Sequence, residues 1–141
     1  MKNSCEDKKI AHLQMIQGII NRMGGNLFYL RGWSITLLVG IFALATSESL
    51  NIAKWSLPLF IIMTIIFWVY DAYFLSLERK YRALFDDVRR MEERDVNFSM
   101  DVSNYKTHAD KTLLACMGSR TLFGFYGILV LAMLIIFKEV G

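Results

Sequence analysis

Proline occurs once, cysteine twice and histidine twice in this chain of 141 residues. Cys5 and Cys116 have no CxxC spacing, and with only His12 and His108 beside them no metal-site spacing is present. There is no Ser/His/Asp set, no glycine-rich phosphate loop and no HExxH motif, so neither an enzyme nor a cofactor or metal site is expected. Charge is missing altogether from three stretches, Gly32–Ser47, Trp55–Tyr70 and Thr121–Phe137. Their length argues against core strands of a soluble domain, which run about 4–8 residues.

What is present is apolar and segregated. The chain is 55% hydrophobic and 21% charged, with a mean hydropathy of +0.36. About 20 helical residues cross the ~30 Å hydrocarbon core. Flanking aromatic and small residues bring each charge-free stretch to nearly that length, so three transmembrane helices are expected. A secretory signal peptide is not expected, because the first apolar run begins only after about 27 mixed polar residues.

The net charge is +3. Lys2, Lys8, Lys9, Arg22 and Arg31 precede the first span, and nine basic residues from Arg79 to Arg120 lie between the second and third. The positive-inside rule then puts the N-terminus and the long loop in the cytoplasm and the C-terminus outside. Both cysteines fall on the cytoplasmic side, where thiols stay reduced. The sequon Asn97-Phe98-Ser99 falls there too and reads as accidental.

The expected fold class is an all-α integral membrane protein. Residues 1–27 form a cytoplasmic amphipathic helix, with Leu13, Ile16, Ile20, Met23 and Leu27 as its apolar stripe and Lys8, Lys9, His12 and Arg22 mostly off it. Gly24-Gly25 weakens this helix, and a bend is favoured there over continuation. Residues 28–48 are the first span, 49–55 an outer loop and 56–75 the second span, with Pro58 in its first turn. The second helix continues through 76–94 as a cytoplasmic extension, because neither glycine nor proline separates LPLFIIMTIIFWVY from DAYFLSLERKYRALFDDVRRMEE. Residues 95–119 hold a loop and a helix from about Tyr105 that runs into the third span, 120–138.

Three sets of residues stand out. Arg31 and Asp71 are equally far from the outer loop along antiparallel helices, so they reach similar depth, and Arg120 marks the inner end of the third span. An intramembrane ion pair of Asp71 with Arg31 or Arg120 is favoured over an ion or proton path through Asp71. Gly32, Thr36, Gly40, Ala43 and Ser47 form a small-residue stripe, and Ala115, Ser119 and Gly127 a second. In lipid, helices associate by close packing at such residues, so the stripes are expected to face another span or another copy. Leu77, Tyr81, Leu84, Val88 and Met91 recur at heptad spacing, a cytoplasmic interaction face that suits the N-terminal stripe better than a copy of itself. Interleaved acidic residues largely cancel the basic run Arg79–Arg90, so a nucleic-acid partner is not expected.

IQGIINRM, RGW at the head of the first span and WVYDAYFLSLERKYRALFDDVRR after the second resemble a group of small uncharacterised bacterial membrane proteins. Their signature corresponds here to Asp71, Ala72, Tyr73, Leu75, Glu78, Arg79, Tyr81, Arg82, Leu84 and Phe85, within roughly residues 14–95. The layout is also similar to the SLATT class, in which two spans precede a cytoplasmic helix; a third span is an addition to that plan. The resemblance implies a membrane-disrupting or pore-forming effector of an anti-phage, nucleotide-signalled system. Such an effector would be a homo-oligomer in the inner membrane, with the bilayer and a cytoplasmic sensor protein or nucleotide signal as partners. The competing expectation is a membrane anchor or scaffold that recruits a cytoplasmic protein through the Leu77–Met91 face.

Overall fold

The computed structural model describes residues 2–45, 50–105 and 109–140; Ser49 of the expected outer loop and Ser47 of the small-residue stripe lie outside them. The described chain is all helical. Helix α1 is Lys2–Ala45, α2 is Leu50–Arg90, α3 is Leu113–Met117 and α4 is Arg120–Val140, with single 3-10 turns at Glu93–Asp95, Ser103–Tyr105 and Ala109–Lys111. Helices α1 and α2 are long and apolar enough to cross a membrane; the apolar part of α4, Arg120–Ile135, is shorter.

Helix α1 has 44 residues, about 66 Å at the standard rise. It passes through Gly24-Gly25 without a break, contrary to the expected bend. The reason lies in one unbroken buried stripe. His12, Ile16, Ile20, Met23, Leu27, Ser34, Leu38 and Ile41 are all buried, at steps that keep one face of the helix turned inward across the glycines. Two mid-helix glycines cost about 1 kcal/mol each, and packing along the whole stripe outweighs that.

Helix α2 runs antiparallel to α1, and its 41 residues make it nearly as long. Ile16 and Ile20 of α1 cluster with Leu84 and Val88 of α2. At the other end Leu38 and Ile41 cluster with Phe60 and, from α4, Met133. Helix α4 packs beside α2 through Leu122 and Tyr126 against Ala72, with Cys116 of α3 completing that core. Each end of the hairpin is thus held by its own apolar cluster.

Three boundaries differ from the sequence reading. Residues 50–55 of the expected outer loop are helical, because α2 begins at Leu50, so Pro58 lies inside α2 and not in its first turn. Helix α2 ends at Arg90, short of the expected 94, and Lys9 Nζ of α1 donates to the Met91 carbonyl at 2.8 Å. That terminal carbonyl has no intrahelical partner, and the lysine supplies one. The helix expected from Tyr105 into the third span is broken. Thr112 caps α3 by accepting from the Ala115 N–H at 3.3 Å, the chain turns at Gly118, and α4 begins anew at Arg120.

A Cβ built on Gly24 or Gly25 meets nothing within 4 Å. Gly24→Ala and Gly25→Ala are therefore expected to stabilise the protein by about 0.5–1 kcal/mol each. Thermal unfolding in detergent checks this, and a loss of stability would mean that α1 bends in solution.

Candidate functional site

The densest polar constellation in the apolar region is built around Asp71. The sequence …WVYDAYF… places Asp71 on the face of α2 that turns toward both α1 and α4. Its side chain is fully buried, while that of Arg31 is 30% exposed. Arg31 Nε donates to Asp71 Oδ2 at 2.8 Å and Nη2 to Oδ1 at 3.2 Å, a two-pronged grip. The Tyr126 hydroxyl of α4 donates to Oδ2 at 3.4 Å, so three helices meet at one carboxylate. The Arg31 guanidinium also lies 5.9 Å from the centre of the Phe125 ring. Ser34, buried one turn along, donates to the Arg31 carbonyl at 2.8 Å.

Arg120 takes no part. Its side chain is exposed, and among the described residues it enters no ion pair. Tyr126 occupies the third place at Asp71, a role the sequence reading missed. The signal was available: Tyr126 is the one tyrosine in the charge-free stretch Thr121–Phe137. It stacks near Trp68 with ring centres 6.3 Å apart, and Trp68 Nε1 donates to the Met117 carbonyl at 3.1 Å. With both carboxylate oxygens gripped, the geometry is that of a clamp between helices.

The small-residue stripes take different positions. Gly32, Thr36 and Gly40 are exposed, on the side of α1 away from Ser34, Leu38 and Ile41. Among the described residues a Cβ on Gly32, Gly40 or Gly127 meets nothing within 4 Å, so no other described helix packs closely there. Thr36 Oγ1 only returns to the Gly32 carbonyl of its own helix, at 3.0 Å. Ala115 and Ser119 are half-buried, and Ser119 accepts the Leu122 N–H at 3.4 Å near the start of α4. Gly127 lies in an apolar groove of about 540 Å³ between α2 and α4, which Ile61, Trp68, Phe123 and Leu134 also line.

The Leu77–Met91 face is occupied within the chain. Leu84 and Val88 are buried against Ile16 and Ile20, Tyr81 packs on the same cluster, Leu77 is half-buried, and Met91 is exposed beyond the helix end. On one side of this polar half, Gln17 and Asn21 of α1 and Glu78, Arg82 and Asp86 of α2 line a cleft of about 580 Å³.

Across the seam runs the segment that follows α2. His12, expected off the apolar stripe, is buried there, 1% exposed. It extends the Ile16–Ile20 row by one helical turn, and the returning chain covers it. His12 Nε2 lies 3.1 Å from the Ser99 carbonyl; a carbonyl only accepts, so Nε2 donates. The ring centre of Phe98 is 5.3 Å from that of His12. Phe98 adopts φ 56°, the left-handed region that bulky residues avoid. The Tyr105 hydroxyl donates to Asp87, and partial burial followed by that carboxylate pushes the Tyr105 pKa up to about 12. Burial likewise pushes the Cys116 thiol up, against the opposing charges of Arg79 and Lys80.

Comparison with protein-family models, with curated proteins and with solved structures finds no match for this chain.

Asp71→Asn leaves Arg31 without its counter-charge. It is expected to cost about 2–3 kcal/mol, below the ~3–5 of a fully buried pair because Arg31 keeps some contact with its surroundings. Asp71→Glu retains the charge and costs less. The yield of folded protein in detergent separates them, and equal yields would show that the pair does not hold the hairpin. A second expectation concerns alkali. The Tyr105–Asp87 bond is intact below the ordinary tyrosine value of 10.0 and is lost as pH rises through about 12. Ultraviolet titration of tyrosinate should therefore lose one component near that pH in Tyr105→Phe.

Proposed function

We propose that this chain is a homo-oligomeric effector of the bacterial inner membrane, with three spans, its N-terminus in the cytoplasm and its C-terminus outside. The observation that carries the reading is the outward face of α1. Gly32, Thr36 and Gly40 are exposed, and a Cβ on Gly32 or Gly40 meets nothing within 4 Å among the described residues, while such a face in lipid favours close helix–helix approach. A second copy is the partner that this face suits.

Several features support the membrane setting. Large apolar side chains point away from the bundle on all three long helices, among them Val39, Ile62, Ile65, Phe123, Ile128 and Leu131. The uncharged interval of α2 from Lys54 to Asp71 is about 25 Å long and that of α4 from Arg120 to Lys138 about 27 Å, close to the ~30 Å hydrocarbon core. Exposed Phe28, Tyr29, Trp33, Tyr70 and Tyr73 gather at the level of the Arg31–Asp71 pair, as an aromatic belt does at a membrane–water boundary. Beyond that level α1 and α2 continue together as a charged hairpin, which supports coupling of a cytoplasmic event to the spans. The defence setting, pore formation and a sensor protein or nucleotide as the signal rest on the SLATT-like layout alone.

The scaffold reading loses weight because α1 already covers Leu84 and Val88. A partner at that face would have to displace α1 or the covering segment.

Gly32→Leu with Gly40→Leu places side chains into open space, so the single-chain fold should persist while the oligomer falls apart. Native mass measurement in detergent reads the copy number. A wild type that is monomeric, or a double variant with unchanged copy number, would overturn the oligomer reading. Overexpression with a membrane-potential dye tests the effector reading: depolarisation supports it, and an unchanged potential with the cognate partner active counts against it.

A further inference from the structure

We infer that residues 96–105 form a releasable latch over the cytoplasmic end of the hairpin, with His12 as its catch. This inference concerns the polar half alone and holds whether or not the chain is an effector.

The segment satisfies much of its own backbone. The Ser99 N–H donates to Asn97 Oδ1 at 3.0 Å, the Asp101 N–H to Ser99 Oγ at 3.3 Å, the Ser103 N–H to Asp101 Oδ1 at 2.8 Å, and the Tyr105 N–H to the Val102 carbonyl at 3.2 Å. These are short-range turns that need no support from the hairpin. A segment whose backbone bonds are internal can lift away as a unit without leaving those groups unpaired.

Its hold on the hairpin centres on the apolar seam. Met100, Val102 and Tyr105 pack on the Ile16–Ile20–Leu84–Val88 seam, Tyr105 bonds Asp87, and His12 reaches Ser99 and Phe98. The catch is an uneasy one. His12 Nδ1 is buried and has no hydrogen-bond partner among the described residues, a group that regains a partner when water reaches it. Phe98, directly against the ring, sits at φ 56°, a conformation released with the latch. Closed, the latch covers one edge of the apolar seam where Ile16 and Ile20 meet Leu84 and Val88; open, it lets water reach that edge without parting α1 from α2.

Thiol labelling tests this on the full chain in detergent. Val88→Cys, in a Cys5→Ser background, puts a thiol under the latch at a position 1% exposed. Cys116, fully buried in the separate α2–α3–α4 core, is the internal control. The thiol at position 88 should react with a maleimide faster than Cys116. His12→Ala should raise its rate roughly tenfold, as expected for a lost hydrogen bond, and leave Cys116 unchanged. Should His12→Ala not fold, Tyr105→Phe loosens the other end of the latch and should act in the same direction. If both thiols accelerate together, the segment is part of the core and opens only with it. If the variants leave the rate at position 88 unchanged, the catch is misassigned. Either result overturns the inference.

Discussion

The bond between Arg31 and Asp71 sets the register of everything else. A buried carboxylate in apolar surroundings is tolerable only when paired, and Asp71 has no exposed surface at all. Sliding α1 along α2 by one turn would move the two groups about 5 Å apart and leave both uncompensated. With that point held, the stripe on α1 meets its counterpart on α2 in both directions. Ile20 and Ile16 come to Leu84 and Val88 on the polar side. Leu38 and Ile41 come to Phe60 on the apolar side.

The two halves of the hairpin depend on different forces. In the polar half, burial of Ile16, Ile20, Leu84 and Val88 removes apolar surface from water, at about 1.5–3 kcal/mol for each side chain. In the apolar half, under the membrane reading, lipid offers no such gain, and association rests on packing and on polar contacts. The buried polar groups there are accordingly satisfied: Ser34 bonds the Arg31 carbonyl, and Thr64 the Phe60 carbonyl at 2.8 Å. The charged node lies where the two regimes meet.

Helix α4 joins this node through Tyr126, with Phe125 beside Arg31, and α3 is held to α2 near it. Trp68 grips the end of α3, Ser76 donates to the Lys111 carbonyl, and Arg79 reaches the Asp110 carbonyl at 2.6 Å. The long connection is therefore pinned to α2 near the node, and farther out it packs on the seam around His12.

Much of this fold was legible in the chain. Periodicity located the apolar stripe Leu13–Leu27 and the Leu77–Met91 row, and the absence of glycine and proline after Tyr70 made α2 one long rod. Equal distances from the outer loop brought Arg31 and Asp71 to one depth, because helical rise converts sequence separation into height. What the chain could not reveal depended on neighbours from distant parts of it. The cost of Gly24-Gly25 was known, but the packing that outweighs it came from α2. The small-residue stripe was evident, but that it faces outward was decided by Ser34, Leu38 and Ile41 taking the inner side. Tyr126 displaced Arg120 at Asp71 because α4 starts after a break at Gly118, which turns Arg120 outward and Tyr126 inward. His12 became a core residue only when Phe98 and Ser99, more than eighty positions away, folded over it. Local spacing determined which helices exist and which groups share a level; which face of each helix is buried, and against what, was a property of the assembled bundle.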